Sequence, residues 1–224
     1  MNKIKLLYDV ITKMKNKEVI NGTITAEGKK DNLNIFSFEN EFEKNTLTGH
    51  IKTKISTEMD YEGKRIKHES STDFNMPDCH GNMHHRFIKH HHNHDEDHTG
   101  MKFGPKDGLN RIAFALSILN ALKADELEDK SYMLSLSLNE MPEDIKQAIH
   151  EKMNSEKSSE KHGLHDHFFM KEFHSMNSLN IDLNIYINKD FEIEKIMFNA
   201  KGEQRDELSV EHEMSTKVDL SLTW

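Results

Sequence analysis

The chain has 224 residues, with 30 Lys and Arg against 39 Asp and Glu and a formal net charge of -9 with histidine neutral. Its cations are scattered along an acidic chain, which argues against nucleic acid as a partner, and no run of about 18 apolar residues exists to span a membrane. Hydrophobic residues make up 35%, fewer than in an average globular chain, so the length is read as a single domain over 1–224 with a thin core.

In chain order, Ile4, Leu7, Tyr8, Ile11 and Met14 recur at the spacing of one helical face, which predicts a short amphipathic helix. The opening MNKIKLLYDVITKMKNKEV is basic, but Asp9 and Lys13 break its apolar run and no small-residue cleavage site follows. The expectation is a cytoplasmic protein, or an extracytoplasmic one if a leader has been removed. Cys79 is the only cysteine, which excludes an intramolecular disulfide and fits a reducing compartment.

From Glu18 the period becomes two. Leu47, Ile51, Ile55 and Met59 fall on one side, with Lys52, Lys54 and Ser56 on the other. This predicts strands over 18–26, 33–43, 47–59 and 64–73, with turns at 27–32 and 62–64 where Gly28 and Gly63 supply positive φ. Residues 75–106 hold two of the three prolines and eight histidines with almost no apolar periodicity, and read as a His-rich loop or insertion.

Leu109, Ile112, Leu116, Leu119 and Leu122 then predict a helix, YMLSLSL a strand, and MPEDIKQAIHEKMN a second helix with Pro142 near its start and Glu143 and Asp144 in its first turn. A polar linker over 154–166 follows. Leu179, Ile181, Leu183, Ile185 and Ile187 alternate with polar residues, FEIEKIMFNAK runs back with a phase slip at Glu194 and Lys195, and Leu208 to Trp224 carries apolar residues at even positions.

The fold class read from this order is α+β: a strongly curved antiparallel sheet of about seven or eight strands packed on a few helices. The order resembles the lipoprotein-localisation-factor (LolA-like) group of bacterial folds. The residues that carry the resemblance are KLLYDVITKMKNKEVINGTITAEG, ILNALKADELEDKSYMLSLSLNEMPEDIKQAIHEKM and IDLNIYINKDFEIEKIMFNAKGE. It implies a half-barrel in which the sheet wraps over helices and encloses an apolar groove, and hence a carrier or sensor of a lipid or other apolar ligand, or a partner-docking module. Members of that group are exported or lipid-anchored. This opening stretch shows neither a signal peptide nor a lipid-acceptor cysteine.

The densest chemistry lies in HHRFIKHHHNHDEDH, where His84, His85, His90, His91, His92, His94 and His98 supply seven imidazoles within residues 84–98. Imidazole is a common ligand for zinc, nickel and copper, and a site needs three or four converging donors. HDEDH has histidines four apart but lacks the glutamate that a metalloprotease helix places second, so hydrolytic zinc chemistry is not supported. A second cluster offers His165 and His167, which share a face if a strand begins there.

Catalytic signatures are missing. No GxSxG, GxxxxGK[ST] or GxGxxG stretch occurs. Cys79 and His80 are sequence neighbours, which does not make a thiolate–imidazole pair. Asn21-Gly22-Thr23 matches a glycosylation acceptor inside a predicted strand. The 13 Met residues suit adaptable core packing or the lining of an apolar groove. The functional expectation is a non-enzymatic binding protein whose His-rich loop takes divalent transition metal, zinc or nickel. The alternative is the apolar-ligand carrier that the resemblance implies.

Overall fold

The computed structural model describes residues 2–61, 63–75, 114–143, 145–147, 179–205 and 210–224. The chain opens with helix α1 (Lys3–Lys15), whose N-cap Asn2 accepts hydrogen bonds from the amides of Ile4 and Lys5, with Lys13 and Lys15 in the last turn. A four-strand meander follows: β1 (Val19–Lys30), β2 (Leu33–Asn45), β3 (His50–Tyr61) and β4 (Lys64–Asn75). After helix α2 (114–121) come β5 (Lys123–Glu126), β6 (Tyr132–Ser137) and a 3-10 turn at Leu138–Glu140, and then β7 (Asn180–Ile187), β8 (Ile193–Arg205) and β9 (Glu211–Thr223).

These nine strands form one antiparallel sheet in the order β4-β3-β2-β1-β9-β8-β7-β6-β5. Its middle is the ladder between β1 and β9, which runs from Asn21 opposite Thr223 to Lys30 opposite Met214. Opposed residues in an antiparallel pair share a face. Ala124, Leu134, Ile185, Ile196, Leu220, Ile24, Asn40, Ile55 and Ser70 therefore form a single row that crosses all nine strands. The adjacent row on the other face reads Asp125, Met133, Tyr186, Lys195, Ser221, Thr23, Glu41, Lys54 and Ser71. One face is mostly apolar and the other mostly polar, as period-two patterning requires.

The turns differ in part from expectation. Gly63 does take positive φ, at 77°. The first hairpin, however, turns at Asp31 and Asn32, with φ of 50° and 65°, and not at Gly28. Short Asn and Asp side chains tolerate the left-handed region, so the strand runs on through Gly28 with a register shift beside it. Leu47, expected in a strand, lies in a turn where Asn45 Oδ1 accepts from the amides of Leu47 and Thr48. The phase slip near Glu194 is present: Tyr186 faces Lys195 and Ile187 faces Ile193, which leaves Glu194 as the extra residue. The short strand β5 has no counterpart in the sequence reading. Lys123, Ala124 and Asp125 stand at the end of the stretch read as helix, and instead form a strand in which Ala124 lies opposite Leu134.

The core lies between α1 and the β5–β7 part of the apolar face. Leu6 and Val10 of α1 are buried with Leu122, Leu134 and Ile187, and Leu7, Met14, Tyr132, Leu136, Ile185, Phe191 and Ile193 pack around them. Tyr132 and Phe191 stack with ring centroids 5.9 Å apart. The buried stripe of α1 is only partly the one the spacing suggested: Leu7 and Met14 pack against the core, whereas Ile4, Tyr8 and Ile11 are exposed. The helix is apolar at too many positions for periodicity alone to choose its inward face. Lys3 locks the rotation actually adopted, its Nζ donating to the carbonyls of Leu119, Asn120 and Leu122 at the C-terminal end of α2, where a cation is favoured.

Leu134 is 1% exposed and lies at the centre of this small cluster. Truncation in Leu134→Ala is expected to lower unfolding stability by about 2–4 kcal/mol through lost contacts and a residual cavity, which the shift of the urea midpoint will measure.

Candidate functional site

Every sequence-predicted metal ligand, namely His84, His85, His90, His91, His92, His94, His98, His165 and His167, lies outside the described residues, as do Cys79 and the 154–166 linker. Their anchor points are described. The segment 76–113 leaves the sheet at Asn75, the last residue of edge strand β4, and the chain returns through α2 to β5 at the opposite edge. Eight interstrand steps separate those edges, about 38 Å measured along the sheet at the usual spacing. The second segment, 148–178, is bounded by residue 147 and by β7, whose start pairs near the end of β6.

At the root of the first segment the sheet assembles a pair that the sequence reading missed. His50 opposes Asn75 in the β3–β4 register, and its Nε2 lies 2.6 Å from Asp73 Oδ1. The two residues are 23 apart in the chain, and only the hairpin register about Gly63 brings them together. A similar pair joins the sheet halves: His212 Nδ1 is 2.6 Å from Asp31 Oδ2, and the hydrogen bond to His212 holds the Asp31 carboxyl below its ordinary pKa. Among the described residues no group of three or more His, Cys, Asp or Glu converges as a metal site. Likewise, no described helix is long and apolar enough to cross a membrane.

The apolar face of β1–β4 and β9 offers a surface that could receive an apolar partner. Ile24, Phe36, Phe38, Phe42 and Ile55 are half-buried there, and Asn40 stands in the same face with its Oδ1 enclosed and without a hydrogen-bond partner among the described residues. Gly22 is required within it. A Cβ at that position would lie 2.7 Å from Phe42 Cζ, 2.9 Å from Leu222 Cδ2 and 2.8 Å from the Ser221 carbonyl, so only glycine lets these two side chains close over β1.

On the polar side an open depression of about 430 Å³ is bordered by Asn21, Thr23, Glu41, Glu43, Lys52 and Lys54. Glu43 faces Lys52 and Glu41 faces Lys54 across the β2–β3 ladder. Charges paired in this way neutralise one another, so the depression has no excess charge with which to hold a bare anion or cation.

The end of the sheet where β7 turns into β8 carries the best-organised polar network. Asn188 Oδ1 accepts from the amides of Asp190 and Glu192, and Asn188 Nδ2 donates to Glu192 Oε2 at 3.1 Å. Lys17 donates to Glu192 Oε1, and its ammonium lies 4.8 Å from the centroid of Trp224. Trp224 Nε1 in turn donates to the Ile193 carbonyl at 3.1 Å. This network ties the residues before β1 to the β7–β8 turn and the end of β9.

No family model matches the chain, and no curated protein matches it. Among solved structures, the chain is similar to an N-terminal dehydratase from the difficidin assembly line, at 10% identity and a TM-score of 0.14, over 99% of this chain and 83% of that one. A likeness of that size carries no argument about fold or activity.

The ammonium of Lys17 and then the amide of Asn188 hold the Glu192 carboxyl below its ordinary pKa. A depressed carboxylate pKa adds stability that is fully present above the unfolded-state value and is lost as pH falls through the folded-state value. Glu192→Gln should therefore unfold at lower temperature than the parent at pH 7, with the difference narrowing as pH is lowered from about 5 to 3. Thermal melts across that range, followed by circular dichroism, will check it; a difference independent of pH would assign the loss to packing alone.

Proposed function

We propose that this chain is a non-enzymatic binding protein that takes up a divalent transition metal, zinc or nickel, through the His-rich segment between β4 and α2. The observation that carries this reading is the density of imidazole: seven histidines in residues 84–98, against a total of 16 in 224. Neutral imidazole donates a lone pair to borderline-soft metals, and the neighbouring Asp95, Glu96 and Asp97 offset the charge of a bound cation. The nine strands follow one another in an unbroken hydrogen-bonded order, each drawn from outside this segment. The sheet therefore serves as a frame from which the segment is presented, and the reading needs no catalytic group.

The second reading is supported by the apolar face. A half-barrel of the LolA-like kind, with the sheet bent over helices, would use Phe36, Phe38 and Phe42 to line a groove for a lipid or another apolar ligand. Asn40 would supply a polar contact within it. Saturable binding of a fluorescent fatty acid, lost on Phe38→Asp with circular dichroism unchanged, would favour that reading. Non-saturable binding would remove it.

The metal reading turns on protonation. An imidazole titrates near pH 6.5 and binds metal only when neutral, so affinity should fall steeply between about pH 7.5 and 5.5. Isothermal calorimetry on untagged protein is expected to show fixed-stoichiometry uptake at micromolar affinity or tighter. Replacing His90, His91, His92, His94 and His98 with Asn should abolish it. Replacing His165 and His167 should weaken it only where the two tracts share an ion. Uptake unchanged in the five-fold variant would overturn the assignment.

A further inference from the structure

The sheet ends in two very different edges. β5 is four residues long, too short to template another chain, whereas β4 is a regular 12-residue strand whose outer edge has no partner among the described residues. Every residue of β4 except Ser70 is exposed, and two of them are large apolar side chains on one face, Ile66 at 60% and Phe74 at 39%. A long open edge with exposed apolar residues is a surface for pairing with another strand.

We propose that β4 pairs antiparallel with β4 of a second copy of this chain about a two-fold axis through Ser70, joining two nine-stranded sheets into one. The side chains favour this partner because the strand is complementary to its own reverse. With Ser70 opposite Ser70, Ile66 meets Phe74 twice on the apolar face and His68 meets Thr72. On the polar face Lys67 meets Asp73 twice, Arg65 meets Asn75 and Glu69 meets Ser71. No like charges oppose one another in this register, and opposite charges or apolar groups fall opposite each other at four of its positions. Eleven aligned residues would add roughly ten backbone hydrogen bonds.

The neighbouring registers are worse. Sliding one strand by two residues brings Glu69 opposite Glu69 in one direction, or Glu69 opposite Asp73 twice in the other. Sliding by one sets Ile66 against charged or polar-face residues and breaks the alternation that both sheets share. A slide by four keeps Lys67 against Glu69 but leaves Phe74 unpaired and shortens the ladder to nine positions. Within one copy Lys67 bonds Glu69 at 2.7 Å and Asp73 bonds His50 at 2.6 Å. An ammonium has three donors and a carboxylate about four acceptor sites, so both groups can keep those partners and gain each other across the axis. An isologous contact of this kind closes at two copies, so it does not propagate into a fibre.

The test is sedimentation velocity on the full chain at tens of micromolar, in chelator so that metal bridging through histidines makes no contribution. The expected species is a dimer of the 26.2 kDa chain. Lys67→Asp places Asp opposite Asp at both symmetric positions and should shift the population to monomer, at least tenfold in dissociation constant. Asp73→Lys should do the same through Lys opposite Lys, and the double exchange Lys67→Asp with Asp73→Lys should restore the dimer. In a Cys79→Ser background, Ser70→Cys should form an intermolecular disulfide on mild oxidation, because residue 70 faces its own copy within disulfide reach. Thr72→Cys should not, because it faces His68. Circular dichroism verifies that each variant is folded. A monomeric parent, a dimer that Lys67→Asp leaves intact, or a double exchange that fails to re-form the dimer would each overturn the proposal.

Discussion

The pairing of β1 with β9 is the constraint on which the rest of the molecule depends. Every other neighbour relation in the sheet lies within one of two sequence-local groups, β1 to β4 and β5 to β9. Only this ladder, from Asn21 with Thr223 to Lys30 with Met214, joins the beginning of the chain to its end. It makes one continuous apolar face from two partial ones, and it brings residues some 190 apart into register with a correspondingly large loop-closure cost. Contacts at both ends hold it. Asp31 bonds His212 and the Glu213 amide at one end, while the network of Glu192, Lys17 and Trp224 closes the other.

That union has a functional consequence. It sends the two ends of segment 76–113 to opposite edges of the sheet, so the His-rich tract is part of a connection that must cross from β4 to the β5 side. The tract and the sheet play separate chemical parts. Opposite charges face one another across the β2–β3 ladder, as in Glu43 with Lys52 and Glu41 with Lys54, and two of the three described histidines, His50 and His212, are each engaged by an aspartate. Imidazole is densest in the inserted sequence, and the long strand edge without a partner among the described residues is that of β4. Under the readings proposed here, metal uptake and self-association draw on different parts of the chain.

The strand pattern was legible because period two is a local property: eight of the nine strands follow from alternation and turn residues in single segments. Where the reading and the structure part, the cause is either short length or degenerate periodicity. KADE has too few residues and too many charges to read as a strand, and becomes one only because β6 offers it an edge. Helix α1 has a wide apolar arc, from Leu6 and Val10 round to Ile4 and Tyr8, so which part of it faces inward is decided only once β6 and β7 are in place and Lys3 has bonded the end of α2. Asp31 and Asn32 displaced Gly28 as the turn because the β1–β9 ladder extends to Lys30, which prolongs the strand past the glycine.

By itself the sequence determined the binary pattern, most of the helix and strand types, the acidic balance, and the stretch where histidine is densest. All of these are written in spacing and composition over a few residues. Only the tertiary structure decided the strand order, the inward face of α1, the need for glycine at position 22, the pairing of His50 with Asp73 and of His212 with Asp31, and which strand would be left at the edge. Each of these depends on which distant segments become neighbours, and the local alternation that defines a strand is the same whichever partner lies beside it.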